Sequence, residues 1–381
     1  MLPRDRVQAA FEQQPTDKTP IYQGSVSSAV ASAVLGREAY VGGGMQQYRE
    51  ACALWEGPEA HAAFLDRTHA DAVAWAEALD LDYVRAEYWR MNRTPSDRID
   101  EGTFLYGDRD GDFEVWRFDP PTELYSCIDA PPAPEPTMDD LEERVERMET
   151  RLADYRPTPA DRPTLAYAID AVGDRRAIAA PGPYVCVDYR TPRWLEAVAL
   201  RPDLVGRYLA VQAEEGCRLA DCMAEMGLPY LMGGGDFASK QGPFYSPRAF
   251  HDLMLPQLQK VSAHCDALGS YFMFASDGNL WPVADDLFGA SGVRAYYEIE
   301  TTAGMDLRRL RETFPRLTLL GGINSATLHT GTPDDVRAEV REALAAAHEH
   351  HGIIVGCSNM IVPGTPPGNV EAMMTTLHAE R

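Results

Sequence analysis

The sequence predicts an α/β protein built as a single (β/α)8 TIM barrel, with an inserted hairpin and helix excursion near residues 98–160. Three observations predict it. Eight short runs rich in β-branched, aromatic and aliphatic residues recur along the chain, with longer helical stretches between most of them. The glycine-rich turn that a doubly wound dinucleotide-binding sheet requires is missing. The 381 residues are long for one average domain, but one barrel with an insertion accounts for the length and leaves 1–381 as one domain.

In chain order the runs are Pro20–Gly24, Asp82–Glu87, Thr164–Asp170, Leu228–Asp236, Gly269–Ser276, Val293–Glu300, Leu317–Asn324 and Gly352–Cys357. Helices are expected between them, over Glu59–Leu79, Pro202–Met226, Pro247–Leu268 and Pro333–His350. Arg98–Cys127 breaks the alternation. It is rich in Asp, Gly and aromatic residues, and Gly107-Asp-Arg-Asp-Gly111 reads as a turn, so a short antiparallel hairpin is expected there. Ala130–Thr137 is a stiff, proline-rich linker. Thr137 then caps a charged helix, with Asp140 three residues on. Leu141, Val145, Met148 and Leu152 form that helix's apolar stripe and dock it on the outside of the barrel.

Composition excludes several partners. With 58 Asp+Glu against 35 Lys+Arg, the net charge of −23 opposes binding to nucleic acid, which needs a basic face, and to anionic membrane surfaces. The residues from Met1 to Arg6 are charged and lack the apolar stretch of a signal peptide, and no run of about 18 apolar residues occurs. Seven cysteines are scattered without a C-x-x-C pair, which indicates neither a disulfide framework nor a zinc knuckle. A reduced, cytoplasmic, acidic protein is the expectation.

In a barrel of this kind chemistry sits at the C-terminal ends of the strands. Those ends carry Gln23, Glu87, Asp170, Asp236, Ser276 with Asp277, Glu298 with Glu300, Asn324, and Ser358 with Asn359. Loops are polar, so any one of these says little. Together they are informative, because the ends converge on one mouth. Asp236 follows three glycines, which suggests either close backbone approach or a tight turn with Asp236 capping the next helix. The loop Phe237–Pro247 carries Lys240, Gln241 and Tyr245 and is placed to lie over the mouth. Ser276-Asp-Gly-Asn279 supplies a carboxylate and an amide with little bulk around them. Cys357 reads as buried, and His348, His350 and His351 as the cationic end of a helix instead of a metal cluster. Neither G-x-S-x-G nor H-E-x-x-H occurs, so serine hydrolase and zincin chemistries have no support.

A further set of segments, taken in order and spacing, resembles the uroporphyrinogen decarboxylase-like superfamily. They run from Arg4-Asp-Arg-Val-Gln-Ala-Ala-Phe11 through Ala180-Pro-Gly-Pro-Tyr184, Gly235-Asp236 and Ser246-Pro247. The resemblance is clearest in Ser276-Asp-Gly-Asn279, Ala303-Gly-Met-Asp306, Gly321-Gly-Ile-Asn324, Gly331-Thr-Pro-Asp-Asp-Val336 and Pro363-Gly-Thr-Pro-Pro-Gly-Asn369. It implies the same barrel as the strand count. Its methyltransferase branch holds zinc through a His-x-Cys pair after one strand and a second Cys after the last. The matching positions here are Ala275, Asp277 and Asn359, so these usual zinc ligands are absent and no metal is assigned. An oxygen-ligated ion at Asp277 with Glu298 stays open. Its decarboxylase branch grips substrate carboxylates with an arginine loop. Here that stretch is Ile21-Tyr-Gln-Gly-Ser25, without arginine. The branch's acid near the second strand end has only Glu87 close by, its site tyrosine matches Tyr189, and its late histidine falls near Asn359.

The resemblance therefore implies an enzyme working at the mouth, in the first instance a methyltransferase demethylating an O- or N-methyl substrate. Glu87, Asp170, Asp236, Asp277 and Glu298 would line the site. Asp236 or Asp277 would be general acid or ligand, and Tyr189 and Asn359 would orient the substrate. The chain shows no corrinoid-binding signature, so the implied corrinoid would sit on a partner protein. A homodimer is the implied assembly. Two alternatives stay open: a decarboxylase acting on a pyrrolic or other carboxylate, and a non-catalytic barrel serving in binding or assembly.

Overall fold

A computed structural model describes residues 1–381. Seven parallel strands follow one another around the sheet: Tyr83–Arg85, Ala177–Tyr184, Tyr230–Gly234, Tyr271–Ala275, Ala295–Tyr297, Thr318–Ile323 and Ile353–Cys357. Residues 21–22 close the ring, because Ile21 bridges Val355 and Tyr22 bridges Tyr83, both in parallel. This is the α/β barrel that the sequence predicts. No helix is long and apolar enough to cross a membrane.

Strand periodicity sorts the side chains into two shells. Tyr22, Tyr83, Ala177, Ala179, Tyr230, Met273, Ala295, Leu320 and Ile354 fill the barrel. Their neighbours in sequence, such as Ile21, Val84, Leu231, Phe272, Phe274 and Val355, join the larger core between the strands and the outer helices. Helix Pro3–Phe11 plugs the N-terminal end with Val7, Ala10 and Phe11. The Phe11 ring lies 4.9 Å from that of Tyr230 and 4.8 Å from that of Tyr271. A filled barrel with a plugged floor leaves the C-terminal mouth as its concave face. The floor is also tied by charge. Asp82 is fully buried and accepts from Arg6 (2.9 Å), Arg381 (2.6 Å) and the backbone N–H of Ile21 (3.0 Å).

Two expectations need correction. Thr164–Asp170 is not a strand; it lies within helix Pro163–Val172. Its buried residues Leu165, Ala168 and Val172 follow helical spacing, and Pro163 occupies the first turn, where its missing N–H is not needed. The strand at that point in the barrel is Ala177–Tyr184. It contains Pro181, Gly182 and Pro183, and its pairing with Tyr230–Gly234 is irregular between Pro181 and Tyr184. The excursion is also larger than a hairpin. Asp97–Asp100, Thr103–Gly107, Phe113–Asp119 and Leu124–Asp129 form a four-stranded antiparallel sheet. Phe104, Tyr106 and Tyr125 pack it against Ala51 of helix Gly44–Glu56. Helix Met138–Leu152 follows with the expected Thr137–Asp140 capping box, burying Leu141 and Val145.

Candidate active site

A cavity of about 430 Å³ opens at the C-terminal mouth. The residues that follow four successive barrel strands supply most of its wall: Asp277, Glu298 to Glu300, Asn324 to Ala326, and Ser358 to Met360. Local backbone geometry brings the acids together. Gly233, Gly234 and Gly235 precede Asp236, and side chains there would collide with the Pro183 carbonyl, the Ala275 backbone and Cys186. The close approach read from these glycines is thus to neighbouring strands of the barrel itself. Asp236 accepts the backbone N–H of Asp277 at 3.1 Å. Glu298 follows strand Ala295–Tyr297 at a φ of +64°, a left-handed conformation that costs a non-glycine residue of order 1–3 kcal/mol.

One carboxylate oxygen each from Asp236, Asp277 and Glu298 lies within 4.8 Å of the other two. Asn359 donates its amide to both Asp277 oxygens, at 3.2 and 3.1 Å. A fourth acid, Glu300, accepts from the Gly278 N–H at 2.9 Å and from the Thr302 hydroxyl at 2.8 Å. Lys240 stands 3.5 Å from Glu300, carried over the mouth by the small hairpin Ala238–Ser239 and Gly242–Pro243, as the loop reading expected. From the opposite side Arg85 bonds Ser25 (2.8 Å) and the carbonyl of Glu87 (2.9 Å).

Crowded carboxylates in a partly dry site oppose one another's ionisation. Burial, with Asp277 and Asp236 alongside, pushes Glu298 up to about 8 against the partial relief of Arg85. Burial and Asp236 push Asp277 up to about 6, while the Asn359 amide pulls the other way. A proton retained by the cluster near neutral pH therefore sits on Glu298 in preference to Asp277. The cluster contains no thiolate or imidazole. The nearest thiols are buried: Cys186 donates to the carbonyl of Asp236 (3.0 Å), and burial raises Cys357 to about 11. These residues do not fit a thiolate-ligated zinc. Their oxygen-only donors are of the type that a hard divalent ion takes.

The structure thus assembles Asp236, Asp277, Glu298 and Asn359. Tyr189 sits at the rim, stacked on Phe244 with centroids 5.0 Å apart. Glu87 does not join the cluster; it lines a separate cavity with Arg90 and Arg162. Asp170 is exposed on the outer helix Pro163–Val172, far in role from any strand end. The sequence reading missed Tyr184, 59% exposed beside Gly235, because the strand that delivers it was missed. It also missed Trp89, 51% exposed and packed on Gly43 next to Met360 of the mouth. An exposed aromatic rim has no periodicity to reveal it.

Residues 191–380 match the family model for uroporphyrinogen decarboxylase (URO-D). The uroporphyrinogen decarboxylase of Dichelobacter nodosus (strain VCS1703A) is 25% identical over 130 residues, which is 34% of this chain and 36% of that protein. That of Azoarcus sp. (strain BH72) is 25% identical over 186 residues, 47% of this chain and 48% of the relative. The matched regions span less than half of either relative's length. A methyltransferase from Methanosarcina mazei superposes with a TM-score of 0.62 at 19% identity, covering 100% of this chain and 99% of its own, and shares the fold.

Proposed function

The chain belongs to the uroporphyrinogen decarboxylase-like superfamily, and we propose that within it this protein is a corrinoid-linked methyltransferase, demethylating an O- or N-methyl group of a small substrate at the barrel mouth. One observation carries the reading: Glu298 clusters with Asp236 and Asp277 and opens with Asp277 onto one cavity, where burial and its acidic neighbours favour its protonated form. Breaking a bond between methyl carbon and oxygen or nitrogen leaves charge on the heteroatom, and a positioned acid stabilises it by giving up a proton. Glu298 donates that proton to the leaving heteroatom. Asp277, fixed by Asn359, and Asp236 keep the proton on Glu298 until the bond breaks, because their negative charges oppose its ionisation. Lys240 neutralises Glu300 at the rim.

In this reading the methyl acceptor would be a corrinoid on a separate protein, and its chemistry would be that of a nucleophile toward the methyl carbon. The exposed aromatics Tyr184, Phe244 and Trp89 around the mouth suit the broad apolar face of such a macrocycle. The decarboxylase alternative has less support. A polycarboxylate needs matching cations, and here Lys240 is the one cationic residue lining the cavity, already paired with Glu300.

The test incubates the purified chain and a corrinoid protein with methoxylated aromatic acids or N-methylated amines and follows demethylated product by mass spectrometry. Product that depends on the chain, and falls about 100-fold or more in Glu298→Gln, is the expected result. Conversion of uroporphyrinogen to coproporphyrinogen, with no demethylation of either class, would overturn it.

A further inference from the structure

The cavity that holds Glu87 contains two opposite charges that neither meet each other nor find another partner. It lies beside the mouth, between the loop after strand Tyr83–Arg85 and the N-terminus of helix Pro163–Val172, and its volume is about 460 Å³. The Glu87 carboxylate makes no hydrogen bond and no ion pair, and burial holds its pKa above the usual range despite Arg162, Arg90 and Arg85 nearby. Arg162 also lines the cavity without an ion pair or a hydrogen bond from its side chain, and its Nε is buried and unpartnered.

The other ionisable groups around the cavity are already committed. Arg90 is paired through its Nη2 with the fully buried Glu50, which also accepts the N–H of Met91 at 2.6 Å, although the Arg90 Nε is itself unpartnered. Asp161 is closed on Thr158, accepting its N–H at 2.9 Å and its hydroxyl at 2.8 Å. His69, bonded to Thr164 at 2.9 Å, is kept neutral by burial and by Arg90. Glu87 and Arg162 are what remains, and desolvated charges left single are costly.

We propose that this cavity binds a small zwitterion of the amino-acid class, its carboxylate on Arg162 and its cationic nitrogen on Glu87. A molecule carrying both charges satisfies both walls at once, and either half alone leaves one wall unpaired. The ten-residue helix that begins at Pro163 adds the positive end of its dipole on the Arg162 side. The volume is ample for a ligand of this size. The site is distinct from the mouth, because no residue lines both cavities.

Isothermal titration of the full chain at low salt tests this, with glycine and glycine betaine as zwitterions and acetate and methylammonium as their halves. A zwitterion should bind at least about tenfold more tightly than either half. Arg162→Gln and Glu87→Gln should each weaken it by about tenfold or more, and Arg162→Lys should keep the preference for the zwitterion. Asp277→Asn, in the mouth, should leave it unchanged. Acetate binding as tightly as glycine would overturn the proposal, since the cavity would then be an anion site. Absence of saturable zwitterion binding, or binding that ignores both Arg162→Gln and Glu87→Gln, would overturn it as well.

Discussion

Asp82 and Asp277 stand at opposite ends of the barrel, and the protein surrounds them differently. Asp82, at the floor, is fully buried and engages two guanidinium groups and a backbone N–H. Asp277, at the mouth, has a neutral amide for its side-chain donor and carboxylates for neighbours. The floor compensates its charge and so binds the first helix, the first strand and the last residue into one unit. The mouth leaves charge uncompensated, which costs stability and keeps a proton in reach of a bound molecule. One barrel thus divides its acids between holding the fold and doing chemistry.

Four experiments break or sharpen this contrast. The largest effect belongs to the mouth. Glu298→Gln keeps the shape and removes the transferable proton, and should lower turnover by about 10²–10⁴-fold in the demethylation assay. At the floor, Asp82→Ala leaves Arg6 with Asp17 and Arg381 with Asp80 as their remaining carboxylate partners and frees the Ile21 N–H, and should cost about 1–3 kcal/mol in urea unfolding. A third effect is a slope. Glu298 is raised from the ordinary glutamate range to about 8 in the fold, so between those values the folded chain binds more protons than the unfolded one. Its contribution to stability is present at the acid end of that window and is lost as pH rises to about 8, and Glu298→Gln should flatten the profile in melts taken across it. The smallest effect is Asp170→Ala on the outer helix, which should change stability by no more than about 0.5 kcal/mol and leave turnover intact. A large loss there would mean that the mouth is not the working end.

Much of this was legible in the sequence because a barrel converts strand ends into a ring. Asp236, Asp277, Glu298 and Asn359 lie far apart in the chain, yet each follows a recognisable strand, so their convergence could be read without coordinates. The errors have physical causes too. Thr164–Asp170 has the aromatic and branched residues of a strand, but its burial follows a helix. Ala177–Tyr184 hides behind two prolines and a glycine that most strands would not tolerate, and with it went Tyr184. Glu87 ends a correctly read strand and still faces another cavity, because the chain turns after Arg85, which bonds the Glu87 carbonyl. Strand identity fixes which end of the barrel a residue reaches, but the turn that follows decides which way it faces.

The ring is closed at one place by the shortest of its staves. Ile21 and Tyr22 each make a single bridge, one to a strand near the end of the chain and one to its successor in sequence. Every other junction joins strands consecutive in the chain. This one must draw together Ile21 and Val355, far apart in the chain, with the loop entropy that such a separation imposes. The barrel is therefore a curled sheet until its seam is fastened. Arg6 and Arg381, which meet on Asp82, are the clasp.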